Sequence, residues 1–522
     1  MNTKILTTSE YDISLAGQIL REGGLVAFPT ETVYGLGANA LDENAVKNIY
    51  IAKGRPSDNP LIVHVADKAD IAPLVKEITP KAQALIDAFF PNALTIILKK
   101  SELIGNVVSG GLDTVAVRMP ENEVAQRVIK ASGCPIAAPS ANTSGLPSPT
   151  KAKYVIDDMS GKIDAIIDGG DCKFGVESTV ITLATDTPTI LRPGAVTKEM
   201  IESVIGEVNV SRAVLEGMRQ DEVAESPGMK YKHYSPNARV VIVDADKETY
   251  ENFVNSRKDA FALCFEGDNV NIPYVTFGRE NDDLSQASEL FTALRKLDEM
   301  GAKKVYARIP NTDGVGMAVY NRLIRAAAFT VIDLKKPFTI GVTGPSGAGK
   351  GYICKYLSEL GFNIIDCDTV VKNIYNDNFQ LLEKLAEEFG NDIIRAGELD
   401  RSKLGEIVFA DSDKLKRLNS IVHPVVEKRC EELSKIPCVL DAPQLFEAKL
   451  QSKCYKIICV TADENIRLDR IMRRDGISLD KAWERINSQL SEKYYIENSD
   501  YVVYNNGEDI KTQIDNILEE IL

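Results

Sequence analysis

The run Gly344-Pro-Ser-Gly-Ala-Gly-Lys350 directly follows the apolar stretch 338–342. A strand feeding a glycine-rich loop that ends in lysine is a cradle for phosphate. Its backbone N–H groups and the following helix N-terminus face anionic oxygens, and the lysine reaches the terminal phosphates. Gly344, Ser346, Gly347, Ala348, Gly349, Lys350 and Gly351 are the expected ATP contacts. Phosphoryl transfer also needs a carboxylate near the attacking hydroxyl. Asp366-Cys-Asp368 closes the next apolar run and supplies two. Asp368 is expected to be the base that orients the hydroxyl and a metal ligand. Asp366 either faces the same way by strand alternation or caps the helix that follows. Far upstream, Lys53-Gly-Arg55-Pro56 places two cations in a loop shaped by glycine and proline, suited to a polyphosphate. Ser140 and Asn142 alternate on an extended segment after Pro139, so both can face one nucleotide.

Positioning these groups requires alternating strands and helices. Residues 15–20 read as helix, 24–28 as a buried strand, and 93–98, 114–118 and 178–183 as short β runs. This pattern predicts a mixed α/β domain over 1–207. A polar segment, 208–237, contains prolines and glycine that forbid a continuous helix or central strand. A small βα domain is expected over 238–334, with strands at 239–243 and 304–309 and helices at 284–300 and 316–329. After a charged junction, 338–522 reads as strand, phosphate loop, helix, and further buried strands at 362–365, 437–440 and 456–460. That order gives a parallel sheet with its ligand site at the carboxyl ends of the strands.

The chain's 522 residues exceed one core, and 44% hydrophobic with 26% charged residues is ordinary for a globular protein. No apolar run approaches the ~20 residues that span a bilayer, so the expectation is a cytoplasmic protein without a membrane partner. A net charge of −15 opposes stable nucleic-acid binding. The nine cysteines show no C-x-x-C pair and read as reduced, buried thiols.

Several motifs join the phosphate loop over 338–507: Leu418-Asn-Ser-Ile-Val-His423-Pro424, Asp441-Ala-Pro-Gln-Leu-Phe-Glu447, Arg470-Ile-Met-Arg473-Arg474-Asp475, and Arg485-Ile-Asn-Ser-Gln489. Together they resemble the dephospho-CoA kinase family, whose fold is a phosphate-loop (P-loop) kinase domain with a parallel sheet. The resemblance implies transfer of the γ-phosphate of ATP, with Mg²⁺, to the ribose 3′-hydroxyl of dephospho-CoA. Asp366, Asp368, His423 and Glu447 would bind dephospho-CoA. Arg470, Arg473 and Arg474 would lie in a lid, with Arg474 on ATP, or form a solvated helix face. His423 is a substrate contact or a structural histidine. Two departures stand out: Gly351 and Tyr352 follow the lysine where serine or threonine is expected, and Lys372 stands where the family often has histidine.

The upstream cations belong to a second set: Phe28-Pro-Thr-Glu-Thr32-Val-Tyr-Gly-Leu-Gly37, Asn59-Pro-Leu-Ile-Val-His64, Arg118-Met-Pro120, Ala138-Pro-Ser-Ala-Asn142, Ser148-Pro-Thr150, Gly175-Val-Glu-Ser178 and Leu191-Arg192-Pro-Gly194. This set resembles the YrdC family, in its long threonylcarbamoyl-AMP synthase form, across about residues 8–334. It implies a YrdC-like mixed α/β domain, a linker and an accessory domain. The implied reaction joins L-threonine, bicarbonate and ATP to give threonylcarbamoyl-AMP for the machinery that makes threonylcarbamoyladenosine (t6A) in tRNA. Lys53, Arg55, Asn59, Thr114, Ser140, Asn142, Ser148, Arg192 and Tyr234 would hold ATP, with Lys53 and Arg55 catalytic. Thr32, His64, Arg118, Ala138 and Ser178 would surround threonine. Tyr231, His233 and Tyr234 would cover the site or form an ordered spacer. Phe90-Pro-Asn-Ala-Leu-Thr95 departs from the family's proline-glycine-proline. The resulting expectation is a fusion of two enzymes. The rival is an RNA-binding YrdC-like protein joined to a degenerate or nucleoside monophosphate kinase.

Overall fold

Short runs rich in β-branched and small apolar residues fold into an eleven-stranded sheet. Its strands run in the order Lys4–Leu6, Ala165–Ile167, Val26–Phe28, Gly35–Asn39, Ile136–Ala137, Ile62–His64, Thr114–Arg118, Leu94–Lys99, Thr179–Thr182, Thr189–Arg192 and Asn209–Val210. The computed structural model describes residues 2–57, 59–214, 236–257, 259–335, 339–360, 362–395, 397–409, 411–434, 438–507 and 509–521. Parallel and antiparallel pairings mix within the large sheet, as the short, irregular β runs predict. Helices Glu43–Lys53 and Pro80–Phe89 pack on one face around Leu36, Ile49, Val63, Ile96 and Val117. Helices Glu10–Arg21 and Glu123–Ser132 cover the other around Leu20, Phe28, Val128 and Ile136. Each helix begins at a side-chain cap: Ser9, Asp42, Thr79 and Asn122 accept from the first-turn amides.

A second sheet orders Tyr274–Arg279, Phe261–Glu266, Lys304–Arg308, Arg239–Asp244 and Val331–Asp333, with the first four parallel. Helices Asp283–Glu299 and Gly316–Ala326 bury Leu290, Phe291, Leu294 and Leu323 against it. The third sheet is fully parallel: Asn363–Asp366, Cys438–Asp441, Thr339–Thr343, Lys456–Thr461 and Tyr501–Tyr504. Its central strands, Thr339–Thr343 and Lys456–Thr461, are buried along nearly their whole length, as parallel strands covered on both faces are.

Contacts group the chain into two compact units, Met1–Val243 with Asp259–Val331, and Asp244–Lys258 with Ile332–Leu522. The helix Lys247–Asn255, whose residues fall inside the domain expected over 238–334, groups with the C-terminal unit. Arg257 follows it and stacks on the rings of both Phe253 and Phe362.

Candidate functional sites

In the N-terminal unit the polar motifs converge where several strands end. His64 and Arg118 close neighbouring parallel strands in register. The turn after Val26–Phe28 brings Thr30, Glu31 and Thr32 beside them. Thr30 Oγ1 accepts from the amides of Thr32 and Val33 and donates to the Val33 carbonyl, which locks that turn. Arg118 is 4% exposed and donates to Glu31 Oε1 at 2.5 Å and to Thr32 Oγ1 at 2.9 Å. Its Nε is buried with no partner among the described residues. A guanidinium so placed has a donor left for an anion.

Thr30, Val33, Arg55, His64, Arg118, Ala138, Ser140, Asn142, Ser148, Glu177 and Arg192 line one pocket here. Most of the residues singled out from sequence are thus brought together. Arg55 donates to the carbonyls of Asn59 and Pro60. The Asn59 side-chain amide is fully buried and has no partner among the described residues. Ser178 lies behind the lining, where its Oγ contacts Thr95 Oγ1 at 2.8 Å and accepts from Arg192 at 3.1 Å. It steadies that arginine. Burial, and secondarily Arg118, pushes His64 down to about 3, so its imidazole is neutral at physiological pH.

The expected Lys53–Arg55 fork does not form. Lys53 ends its helix, and Gly54 between the two residues is left-handed at φ 63°, which turns the chain. Lys53 Nζ instead donates to the backbone carbonyls of Ser140 and Asn142. Burial, and then Arg55, holds its pKa well below the usual lysine range. The lysine shapes the loop that carries Ser140 and Asn142, and Arg55 is the member of the pair that lines the pocket. Thr114 opens the strand that Arg118 ends and pairs with Lys99, about 13 Å along the strand from Arg118. It is not brought to the pocket. Tyr231, His233 and Tyr234 lie outside the described residues. The departure at Asn92 is absorbed locally: its side chain accepts from Ala93 N at 2.7 Å, and its amide donates to Met119 O.

Two carboxylates were not foreseen as site residues: Glu177, which lines this pocket, and Glu31, which pairs with the pocket's Arg118. Both were visible only as acids within apolar, glycine- and threonine-rich motifs. Burial alone would raise the Glu177 pKa, but Arg322 and Arg192 hold it below the usual range, so it is an anion.

In the C-terminal unit, Gly344, Gly347 and Gly349 all have positive φ. At Gly344 a Cβ would sit 2.1 Å from the Val460 carbonyl, and at Gly349 2.1 Å from Asn505 Nδ2. The loop can be built only with glycine there. Its carbonyls are held from behind. Arg467 donates to Ser346 O, Arg470 to Gly347 O and Ala348 O, and Asn505 to Ala348 O. The Ser346 amide donates to Gln489 Oε1. Arg470 therefore braces the loop and is not a lid residue. Arg473 pairs with Asp469 at the surface, and Arg474 pairs with Asp475.

Lys350 opens the next helix and donates to Gly344 O at 2.8 Å. Asp366 and Asp441 are register partners at the ends of adjacent strands. The shared strand-like orientation expected for Asp366 and Asp368 does not occur. The strand stops at Asp366, which caps the helix Cys367–Asp377 by accepting from the amides of Asp368 and Thr369. Asp368 lies in the first helical turn and is exposed. Burial and then Asp366 raise its pKa, while Lys350 opposes that rise. Asp441, quoted in a motif but not foreseen as a site residue, has a pKa raised by burial, and its Oδ1 has no partner among the described residues.

His423 lies on the helix Ser412–Leu433 and lines a mainly apolar cavity of about 160 Å³ with Asp368, Tyr375, Leu418 and Pro443. Burial lowers its pKa. Glu447 does not line that cavity and accepts from Tyr495 at 3.4 Å.

The fold and sites define two nucleotide-handling units in one chain. The first is a mixed α/β pocket rich in arginine, and the second is a phosphate-loop domain of kinase type. Family models match consecutive stretches: "Telomere recombination" (Sua5/YciO/YrdC) over residues 18–194, "Threonylcarbamoyl-AMP synthase, C-terminal domain" over 196–328, and "Dephospho-CoA kinase" over 338–511. Threonylcarbamoyl-AMP synthase of Pyrococcus abyssi is 46% identical over 332 residues, 62% of this chain and 96% of that protein. Dephospho-CoA kinase of Fusobacterium nucleatum is 38% identical over 189 residues, 35% of this chain and 97% of that protein. The crystal structure of P. abyssi Sua5 complexed with L-threonine aligns with a TM-score of 0.60 at 46% identity, covering 63% of this chain and 99% of that one. The chain belongs to the threonylcarbamoyl-AMP synthase family in its N-terminal part and to the dephospho-CoA kinase family in its C-terminal part. No helix among the described residues is long and apolar enough to cross a membrane.

Proposed function

We propose that the chain carries two activities, formation of L-threonylcarbamoyl-AMP from L-threonine, bicarbonate and ATP, and ATP-dependent phosphorylation of dephospho-CoA at its ribose 3′-hydroxyl. The observation that carries the first is Arg118, buried, paired on one side with Glu31 and Thr32, with an Nε that has no partner among the described residues, in a pocket lined by further arginines. That donor suits the carboxylate of an amino acid, and neutral His64 beside it adds no competing charge. The relative crystallised with L-threonine supports the same ligand here. Arg55 and Arg192 supply positive charge for the triphosphate and for the pyrophosphate that leaves when threonine carbamate attacks the α-phosphorus. Lys53 acts indirectly by fixing the Ser140–Asn142 backbone. Aligning two bound reactants requires no covalent nucleophile.

In the kinase part, the braced loop amides and Lys350 suit the ATP phosphates, and Asp368 faces the cavity that fits the acceptor. Asp368 accepts the hydroxyl proton as the acceptor oxygen bonds to the γ-phosphorus and ADP leaves. Mg²⁺ fits this corner. Asp441 Oδ1 is a buried acceptor without a partner among the described residues, and Gly351 leaves open space where other phosphate loops carry a hydroxyl. Asp368 and Asp441 would hold the ion. Among the described residues no cluster of three ligating side chains forms a cage, so phosphate oxygens and water would supply its remaining ligands. When bound, the ion neutralises phosphate charge.

The test uses the full chain. Threonine- and bicarbonate-dependent release of pyrophosphate from ATP is expected, together with Mg-ATP-dependent conversion of dephospho-CoA to CoA. Pyrophosphate release that ignores threonine would overturn the first activity. Phosphorylation of AMP in preference to dephospho-CoA would overturn the second. The adenylate formed by the first activity is proposed to feed the t6A-forming machinery.

A further inference from the structure

The pocket in the N-terminal unit is wired to a residue of the accessory fold. Arg322, on the helix Gly316–Ala326, is 0% exposed. Its Nε donates to Glu177 Oε2 at 2.9 Å, and its terminal nitrogens donate to Pro193 O at 2.6 Å and Glu177 O at 3.1 Å. With Oε2 taken, Glu177 offers Oε1 to Ser148, whose hydroxyl donates to it at 2.5 Å. Glu177 and Ser148 both line the pocket and are 6% and 1% exposed. The backbone next to Ser148 is pinned as well. Arg295, on the helix Asp283–Glu299, donates to Pro147 O at 2.6 Å and grips Asp158 with two nitrogens. Gly175 meets that same helix so closely that a Cβ would lie 2.4 Å from Ala287 O.

A serine hydroxyl has one proton. That of Ser148 is committed to Glu177, an anion held by Arg322 and Arg192. Toward a ligand Ser148 therefore has only lone pairs. We propose that Arg322 is a positioning residue which, through Glu177, fixes Ser148 as a hydrogen-bond acceptor, so that this wall of the pocket reads a donor on the nucleotide, a ribose hydroxyl or the base amino group, and disfavours phosphate oxygens. The inference rests on the synthase reading and adds to it a polarity and a source for that polarity. It makes the accessory domain part of nucleotide selection through side chains, independently of the segment that joins the two domains.

The experiment measures threonine-dependent pyrophosphate release by the full chain with ATP, 2′-deoxy-ATP, 3′-deoxy-ATP and purine riboside triphosphate. The two deoxy analogues each lack one ribose donor, and the third lacks the 6-amino donor. The parent enzyme is expected to show KM raised about fivefold to tenfold for one of the three, the size of one neutral hydrogen bond. Ser148→Ala should reduce that gap to less than about twofold while raising KM for ATP itself. Glu177→Gln is the sharper variant. Its amide keeps the carbonyl on Arg322 and turns its NH₂ toward Ser148, so the serine proton swings into the pocket and the gap closes with the serine still present. Arg322→Lys, which keeps a charge on Glu177, should restore part of the gap lost in Arg322→Ala. A purely structural brace would weaken ATP and all three analogues alike. Equal KM for all four nucleotides in the parent, or a gap that survives Glu177→Gln with unchanged melting, would overturn the proposal. If Glu177→Gln melts early, Ser148→Ala decides. Absence of threonine-dependent turnover with ATP in the parent would instead sink the synthase reading.

Discussion

Replacing Arg118 by lysine separates its two jobs. The guanidinium holds Glu31 and Thr32 on one side and keeps Nε for a ligand on the other. Removing the charge altogether would leave Glu31, 3% exposed, as a buried and uncompensated anion, which costs about 3–5 kcal/mol and would confuse binding with unfolding. Lysine keeps a cation for Glu31 but has no planar fork, so the second set of donors is lost. A hydrogen bond between charged groups contributes about 1.5–3 kcal/mol, and each ~1.4 kcal/mol is a factor of ten. Threonine affinity should therefore fall about 10-fold to 150-fold in Arg118→Lys, with KM for ATP within about twofold of the parent. Calorimetric titration of L-threonine into the full chain with a non-hydrolysable ATP analogue measures the first, and steady-state pyrophosphate release the second. Unchanged threonine affinity in a folded Arg118→Lys protein would refute the carboxylate assignment. An equal loss for both substrates would show that Arg118 shapes the whole pocket.

His64 is neutral and buried, with its folded pKa down at about 3 against 6.5 for an ordinary histidine. Its contribution to stability is therefore complete above about pH 6.5 and is lost as pH falls toward 3. Chemical denaturation of His64→Asn from pH 7 to 4 should show a shallower acid decline than the parent, and parallel declines would contradict this. Asp368→Asn should cut dephospho-CoA phosphorylation by at least about a hundredfold with threonine-dependent pyrophosphate release unchanged, since a general base contributes about 10²–10⁴-fold. In the parent, the acid limb of kinase kcat should lie above the ordinary aspartate range, because burial and Asp366 raise this carboxyl. Gly351→Ser should keep kinase activity and melting temperature, as a Cβ there meets nothing within 4 Å, whereas Gly344→Ala, with its Cβ 2.1 Å from Val460 O, should abolish phosphate binding in an ATP titration.

Much of this was readable from residue order alone. The strand ends at Arg118, Asp366 and Asp441 follow from apolar runs that stop at a charge, and the phosphate loop is legible because only glycine can adopt its dihedral angles. What stayed hidden depends on chain direction over one or two residues, or on partners distant in sequence. A left-handed Gly54 decides whether Lys53 and Arg55 act together, and the carbonyl partners of Lys53 lie 87 and 89 residues further along the chain. Whether Asp366 faces the same way as Asp368 or caps a helix depends on which residue ends the strand. Glu177 looks like one acid among many until Arg322, 145 positions later, is found on it. Arg470 resembled an exposed lid residue because its partners, the loop carbonyls and Asn505, lie elsewhere in the sequence.

The back-side bracing of the phosphate loop also sets an order of events during synthesis. The loop, 344–350, leaves the ribosome long before Arg467, Arg470, Gln489 and Asn505, the groups that hold its carbonyls and the Ser346 amide. Chains are made from the N-terminus at about 5–20 residues per second, so the loop waits roughly 10–30 seconds for the last of these partners. During that interval the N-terminal unit already has every residue of its own pocket, while the later nucleotide site does not yet exist. A message truncated near its 3′ end would therefore silence one chemistry and spare the other, and the ratio of the two activities in a cell extract would read out how completely this chain is being translated.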